Sequence, residues 1–433
     1  MIKQILHTFF TRFFTALCNL FIAVIVSNVL GAEGKGEQGL IITTISFIIV
    51  ITSIVGVGGI TFLFPRYRFN VLLAPSYLWL IAIIVMSFFL LQLLAIGLQS
   101  YALHICLLSL LLSVSTFNAA ILQAQQRIAP INYIQIVQIV LIVCMLCYCF
   151  IIEKNSSIQA YLYALYVGYG GSLLLSFIFT FRHYIGYVPE FSVRKNFLGF
   201  RMLFRYGFFN QLDIIAQLLS FRLSYYVIYA YIDKSQVGIY SNGVSIIESL
   251  WMISRSILMV QHARIVNSRD NQYNARLSLI ALRMSNVLML AGIMPLLLLP
   301  SSFFTTIFGN DFGDIPSVLM ALAPGVFAFN MSFIFSAYFS GTGKHYVNMV
   351  ASLSGFIVTL LTVFMLIPHY GIVGAGIAAS LSYISTAVIK MVYFHAYNKN
   401  LHIRMFPSVS ELKTFANEIL SMCKNSKNTG SVT

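Results

Sequence analysis

Residues 9–39 read FFTRFFTALCNLFIAVIVSNVLGAEGKGEQG: an apolar run from Phe9 to Leu30 whose single charge is Arg12, then four glycines and three charges in nine positions. A helix crossing the hydrocarbon of a bilayer needs about 20 mostly apolar residues, and the run has that length. Gly31-Ala32-Glu33-Gly34-Lys35-Gly36 reads as the turn that ends it. The run is longer than the apolar region of a cleaved signal and has no A-x-A-like site after it.

The same pattern recurs along the chain. Spans are expected near 9–30, 40–64, 77–97, 102–126, 130–152, 160–181, 206–231, 238–262, 278–302, 316–341, 346–368 and 372–396. Breaks fall at Pro65-Arg66, Pro130, Pro316, Gly341-Thr342-Gly343 and Pro368-His369-Tyr370-Gly371. Strand-length alternation is absent, which excludes a β-barrel. The expected fold is an all-α integral membrane protein with about 12 transmembrane helices.

Composition agrees. Of 433 residues, 59% are hydrophobic and 9% charged, whereas a soluble protein has about 25% charged; mean hydropathy is +0.87. A soluble enzyme, a disordered scaffold and a secreted disulfide module are excluded. Cys144-x-x-Cys147 has metal-ligand spacing, but it lies in LIVCMLCYCF with no His or carboxylate nearby, and zinc needs four ligands.

The net charge of +14 could suggest nucleic acid, but its distribution is topogenic. With the N-terminus inside, nineteen Lys and Arg fall on the cytoplasmic face and three, Lys35, Lys154 and Lys234, on the other. Lys and Arg resist translocation, so both termini are expected to be cytoplasmic. The inner basic residues suit anionic lipid headgroups, and no nucleic-acid partner is expected. The basic stretch 182–205 separates a six-helix unit at 1–181 from another at 206–396, and a basic tail follows at 397–433, with a short surface helix expected at Val409–Met422. One internal echo accompanies this division: Glu37-Gln38-Gly39-Leu40-Ile41 against Gln236-Val237-Gly238-Ile239-Tyr240.

Outer loops this short leave no room for a catalytic domain, so no enzyme is expected. Gly341-Thr342-Gly343-Lys344 lacks the phosphate-loop spacing, since Tyr338 stands where the first Gly belongs. Gly371-Ile372-Val373-Gly374-Ala375-Gly376 follows no strand and fits close helix packing better than a dinucleotide. No cofactor or metal is expected.

Ionisable groups within spans are costly and mark pathways or cavities. Arg222 lies deep in the seventh span, with Asp213 in its inner half; Glu248 and Arg255 are seven residues apart on one face of the eighth. In antiparallel helices Arg222 falls level with Glu248, and Asp213 with Arg255, but at 100° per residue 213 and 222 point to opposite sides, which resists both pairs facing the same partner. Two readings apply: ion pairs that neutralise buried charge, or an internal cationic site whose guanidinium groups take an anion. Asp213 and Glu248 suit the first, or a coupling role; Arg222 and Arg255 suit the second. Arg12, at the start of the first span, either faces that site or snorkels, and snorkelling also accounts for Arg283 and Lys390. Polar candidates for a cavity wall are Asn118, Gln123, Asn210 and Gln217, with Gln135 and Gln138 also interrupting the fifth span.

Several segments, in order and spacing, resemble one family: Glu37-Gln38-Gly39, Gly56-Val57-Gly58-Gly59, Asn118-Ala119-Ala120-Ile121-Leu122-Gln123-Ala124, Val237-Gly238-Ile239-Tyr240-Ser241, Ile247-Glu248-Ser249-Leu250-Trp251, Leu322-Ala323-Pro324-Gly325, Ser340-Gly341-Thr342-Gly343-Lys344 and Ile367-Pro368-His369-Tyr370-Gly371. Together they resemble the polysaccharide-transporter, O-antigen flippase-like branch of the multidrug/oligosaccharidyl-lipid/polysaccharide exporter superfamily. The resemblance implies two six-helix bundles around a central cavity and a place in the bacterial inner membrane. It further implies alternating access that carries a polyprenyl-diphosphate-linked oligosaccharide from the inner to the outer leaflet, upstream of polysaccharide polymerase machinery. Related proteins often carry Asp just after the seventh-helix Arg; here Leu223 and Ser224 follow Arg222, so a coupling carboxylate is absent there, and proton against sodium coupling stays open. Two rivals remain: a multidrug or organic-cation exporter of the same superfamily, which would want exposed intramembrane carboxylates, and a membrane glycan polymerase or ligase, which would want a large basic outer loop.

Overall fold

The structure, a computed structural model, describes residues 2–64, 67, 69–94, 97–185, 193–268 and 270–408. Its α-helices, in chain order, are α1 (Ile2–Thr52), α2 (Val57–Leu63), α3 (Phe69–Leu93), α4 (Ala102–Ala124), α5 (Ile128–Cys147), α6 (Ile158–Ile185) and α7 (Val193–Tyr231), then α8 (Lys234–Ser249), α9 (Trp251–Val266), α10 (Asn271–Leu297), α11 (Ser301–Phe308), α12 (Ile315–Gly341) and α13 (His345–Tyr397). Among the described residues there is no strand.

Among the described residues, nine stretches are long and apolar enough to cross a membrane. The side chains they leave uncovered are themselves apolar: Leu78, Ile81, Met86, Phe89 and Leu93 on α3, and Ile357, Leu361, Phe364 and Met365 on α13. Such surfaces are matched by lipid rather than water, and the chain is a multi-pass membrane protein.

Two of the nine, Phe10–Thr52 and His345–Tyr397, each contain a sharp bend. Gly31 has φ 68° and ψ −171°, and Gly371 has φ 59° and ψ −137°. Only glycine enters this region without strain. The turn expected after Leu30 is therefore a one-residue bend, and the helix resumes at once through Ala32–Gly39. The amide of Ala32 donates to Asp311 Oδ2 at 3.2 Å, and Asn28 Nδ2, one turn earlier, donates to the Ile307 carbonyl at 2.6 Å.

Glycines let the helices approach closely at two more places. A Cβ on Gly36 would lie 1.8 Å from the Lys234 carbonyl oxygen, and one on Gly238 would lie 2.0 Å from that of Ala32, so α1 and α8 meet backbone to backbone. Likewise a Cβ on Gly207 would lie 1.6 Å from the Ile54 carbonyl oxygen. That second approach accounts for a difference from expectation at 40–64: α1 stops at Thr52, and the turn at 53–56 and short α2 lean on α7. The span expected at 238–262 is also divided, at Leu250, where Trp251 Nε1 donates to the Val326 carbonyl at 3.1 Å.

Helix α7 begins at Val193, so much of the basic stretch 182–205 is helical rather than a loop. Gly199 sits against Val71, and Trp79 packs on the rings of Phe200 and Phe204 at 5.8 and 6.0 Å. The surface helix expected at Val409–Met422 lies outside the described residues.

Candidate functional site

Helices from both sides of the 186–192 segment enclose a cavity of about 980 Å³, near the top of the roughly 300–1,000 Å³ range of ligand pockets. Its wall comes from α1, α5 and α6 on one side of the sequence and from α7, α8, α9 and α11 on the other. Arg12, Lys35, Arg222 and Arg255 line it, with Glu248 as the one carboxylate among the described lining residues.

The four cations differ in their partners. Arg222 Nη2 lies 3.0 Å from Glu248 Oε2, and its Nη1 donates to the Tyr225 hydroxyl at 3.2 Å. Tyr383, on α13, donates to Glu248 Oε1 at 2.9 Å. Both oxygens of Glu248 are thus engaged, and α7, α8 and α13 are tied at one point. Behind the pair, Phe221, Trp251, Phe329 and Tyr383 form an aromatic cluster with ring centroids 4.9–5.5 Å apart. This dry backing strengthens the ion pair, because there is little water to screen it.

Arg255, Arg12 and Lys35 form no ion pair among the described residues. The Arg255 guanidinium stands over the Phe333 ring at 5.4 Å, a contact that leaves its charge available. Arg12 Nη1 lies 3.7 Å from Met259 Sδ. Lys35 Nζ donates to Gln38 Oε1 at 2.6 Å, and Gln38 Nε2 donates to the Tyr161 hydroxyl at 3.0 Å.

Exposure orders these groups along the cavity. Arg12 and Arg255 are exposed, Arg222 and Glu248 are half-buried, and Lys35 is 5% exposed. The cavity therefore has its mouth near Arg12 and Arg255. It closes where the bent part of α1 meets α8 and where Phe308 of α11 joins the wall. Beyond that closed end Lys234 Nζ pairs with Glu37 Oε1 at 2.5 Å.

Several sequence expectations find different places. Arg222 and Glu248 meet, as their depth suggested, while no bond joins Asp213 to Arg255, and Asp213 does not line the cavity. One oxygen of Asp213 is buried without a hydrogen-bond partner, and α7 packs there against α13, which carries Lys390. Lys390 does not snorkel: it is 1% exposed and donates to Ser332 and Ser336 hydroxyls at 2.9 and 2.6 Å. Asn118 is buried away from the cavity, its Nδ2 donating to Ser176 at 2.9 Å, because α4 packs against α6. Gln123 is exposed near the end of α4, and Gln217 is half-buried; neither lines the cavity. The side chain of Asn210 lies outside the described residues. Gln135 and Gln138 do line it.

Sequence reasoning missed Lys35. Placed in an outer turn, it would be a solvated charge; in the structure it is a buried cation of the cavity wall. The signal was present in Gly31, Gly34, Gly36 and Gly39, whose spacing of three, two and three residues suits a helix pressed against another backbone.

No family model and no curated protein matches the chain. Solved structures do. One is described as the lipid II flippase MurJ in an inward closed conformation, with TM-score 0.75 at 15% identity over 96% of this chain and 91% of that one. Another is an inward-facing multidrug resistance MATE family transporter of the MOP superfamily, with TM-score 0.70 at 15% identity over 89% and 95%. A third, the MATE multidrug transporter DinF-BH, has TM-score 0.66 at 16% identity over 91% and 94%. These neighbours are transporters and flippases rather than enzymes. At such identities the likeness concerns architecture, and along nearly its whole length the chain has the fold of MOP-superfamily transporters.

Proposed function

We propose that this protein is a flippase that carries a polyprenyl-diphosphate-linked oligosaccharide, such as an O-antigen or capsule repeat unit, from the cytoplasmic to the outer leaflet by alternating access. One observation carries the reading: the cavity is lined by four basic side chains and one carboxylate, and that carboxylate is already held by Arg222 and Tyr383. A net positive wall lowers the cost of bringing a diphosphate into the membrane, and guanidinium groups suit phosphate oxygens. The fold is common to exporters and flippases, and the charge of the cavity favours the second. An organic cation would want a free carboxylate, and Glu248 has no free oxygen to offer.

In this reading the bends at Gly31 and Gly371 each join two spans, which makes eleven from the nine stretches, and α7 is the twelfth, with both termini cytoplasmic. With Lys35 removed from the outer loops, the Lys and Arg asymmetry sharpens to nineteen against two. The mouth beside Arg12 and Arg255 faces the cytoplasm, where the substrate is made. Arg12 and Arg255 receive the diphosphate, the lipid tail stays in the hydrocarbon, and the two halves rock about the loaded cavity.

The test is to deplete the protein and probe from outside, with a sugar-modifying enzyme, which leaflet holds the lipid-linked oligosaccharide. Accumulation on the cytoplasmic side, reversed by the wild type, is expected. Accumulation of single repeat units on the outer side would assign the chain to a polymerase or ligase step instead.

A further inference from the structure

We infer that Lys35, Tyr161 and Asn242 form a second anion subsite at the closed end of the cavity, and that it recognises the carboxylate of an acidic sugar in the transported glycan. This subsite rests on the flippase reading above and adds the chemical class of the glycan to it.

Arg12 and Lys35 lie on one helix, roughly 35 Å apart along its axis less the effect of the bend at Gly31. They mark opposite ends of one cavity: Arg12 exposed at the mouth and Lys35 buried at the far end. A diphosphate is tied to a chain that must remain in hydrocarbon, so it stays near headgroup level, beside Arg12 and Arg255. The part of the headgroup that reaches Lys35 is the part farthest from the lipid, the glycan.

The hydrogen-bonding groups at that end suit a sugar acid. An ammonium has three donors, and Lys35 uses one, on Gln38. The Tyr161 hydroxyl accepts from Gln38 Nε2, which leaves its own proton to give. Both side chains line the cavity, and both are buried. Asn242, also on the wall, donates through Nδ2 to Ser27 at 2.7 Å, while its Oδ1 is buried without a partner. It stands one turn beyond Gly238, whose backbone touches that of α1 at Ala32–Gly36. Two unused donor groups and one orphaned acceptor fit a sugar acid, whose carboxylate accepts and whose hydroxyls donate.

Charge supports the same assignment. The nearby acids on α1 are engaged elsewhere: Glu37 pairs with Lys234, and Glu33 lines a separate recess with Asp233 and Lys234. Glu248 is closed by its own partners. A buried cation without a counter-ion is costly, and a carboxylate arriving with the substrate offsets that cost.

The experiment uses the purified full-length protein in lipid nanodiscs and measures Kd for three synthetic ligands: a polyprenyl-diphosphate oligosaccharide bearing one uronic acid, the same compound with its carboxyl reduced to the alcohol, and polyprenyl diphosphate without sugar. Wild type should bind the uronate form about tenfold more tightly than the reduced form, as one charge-assisted contact allows. Lys35→Met should erase that preference, so that the uronate and reduced forms bind alike, while Lys35→Arg should retain it. A preference that survives in Lys35→Met, or that wild type lacks, overturns the inference. A loss of affinity in Lys35→Met as large for sugar-free diphosphate as for the uronate form would assign Lys35 to the diphosphate and overturn it as well. If wild type binds none of the three, the flippase reading itself falls; if it binds all three alike, only the Lys35 inference does.

Discussion

Arg222 and Glu248 form a 3.0 Å ion pair on the wall of the cavity, and Tyr383 closes the remaining oxygen of the carboxylate. Arg222 therefore holds α7 to α8 and α13 in addition to lining the cavity. Arg222→Ala should destabilise the protein by about 2–3 kcal/mol, between the ~1 kcal/mol of exposed pairs and the ~3–5 kcal/mol of buried ones. Arg222→Gln combined with Glu248→Gln should recover most of that loss. Thermal unfolding in detergent checks both, and a single variant as stable as wild type would show that the pair holds nothing together.

Arg255 should behave differently. It is exposed at the mouth, with only the Phe333 ring beneath it. Arg255→Ala should leave the unfolding temperature within a degree or two while weakening binding of polyprenyl diphosphate by about tenfold, the scale of one charged contact. Arg255→Lys should recover part of the affinity, since an ammonium keeps the charge but not the planar fork. Unaltered affinity in Arg255→Ala would remove it from the binding site.

The contact of Gly36 with Gly238 gives a conformational prediction. A methyl group on Gly238 would overlap the Ala32 carbonyl, 2.0 Å away, so Gly238→Ala must push α1 and α8 apart at the closed end. Asn242→Cys, in an otherwise cysteine-free chain, should then react faster with a membrane-impermeant maleimide applied from outside. No change in labelling would mean that this contact does not set closure.

At Gly371 the constraint is backbone conformation rather than space. An added Cβ meets nothing closer than Ile232 Cδ1 at 3.8 Å, while φ is 59°. Gly371→Ala should cost about 1–3 kcal/mol from the backbone conformation alone, because φ 59° with ψ −137° is essentially restricted to glycine, and Gly371→Asn should cost as much. Thermal melts of the two variants against wild type measure the difference.

Hydropathy placed eleven of the twelve expected spans on the nine apolar stretches, because twenty apolar residues have few other uses, while the seventh, in α7, is not among them; the breaks it placed at Gly31 and Gly371 are the two bends. It misjudged the residues just beyond Gly31. A glycine with positive φ redirects a helix within one residue, so the glycine-rich stretch after Leu30 continues as helix and carries Lys35 into the interior. Charge in a short polar stretch reads as solvated unless the facing backbone is known. Helical depth paired Arg222 with Glu248 correctly, because both lie near the middle of adjacent helices. Asp213 and Arg255 share a depth without pairing, in keeping with helix geometry, since residues nine apart on α7 point to opposite sides. Asn118 and Lys390 show a further limit: a polar residue in an apolar helix bonds to a neighbouring helix as readily as it lines water, and only the packing partner, Ser176 for one and Ser332 with Ser336 for the other, separates the two. The echo between Glu37-Gln38-Gly39 and Gln236-Val237-Gly238 acquires a meaning from the fold, because these two segments lie against each other at the closed end.

The bend in α1 is held from outside its own helix. Asn28 and Ala32, one turn apart, are bonded to the Ile307 carbonyl and the Asp311 carboxylate, which arrive from a distant part of the chain. If the 307–311 segment withdraws, the Ala32 amide and the Asn28 side chain lose their acceptors on that segment together. Loosening the bend and releasing that clasp would then be one event, so α1 is coupled at its turn to a segment 279 residues further along the chain.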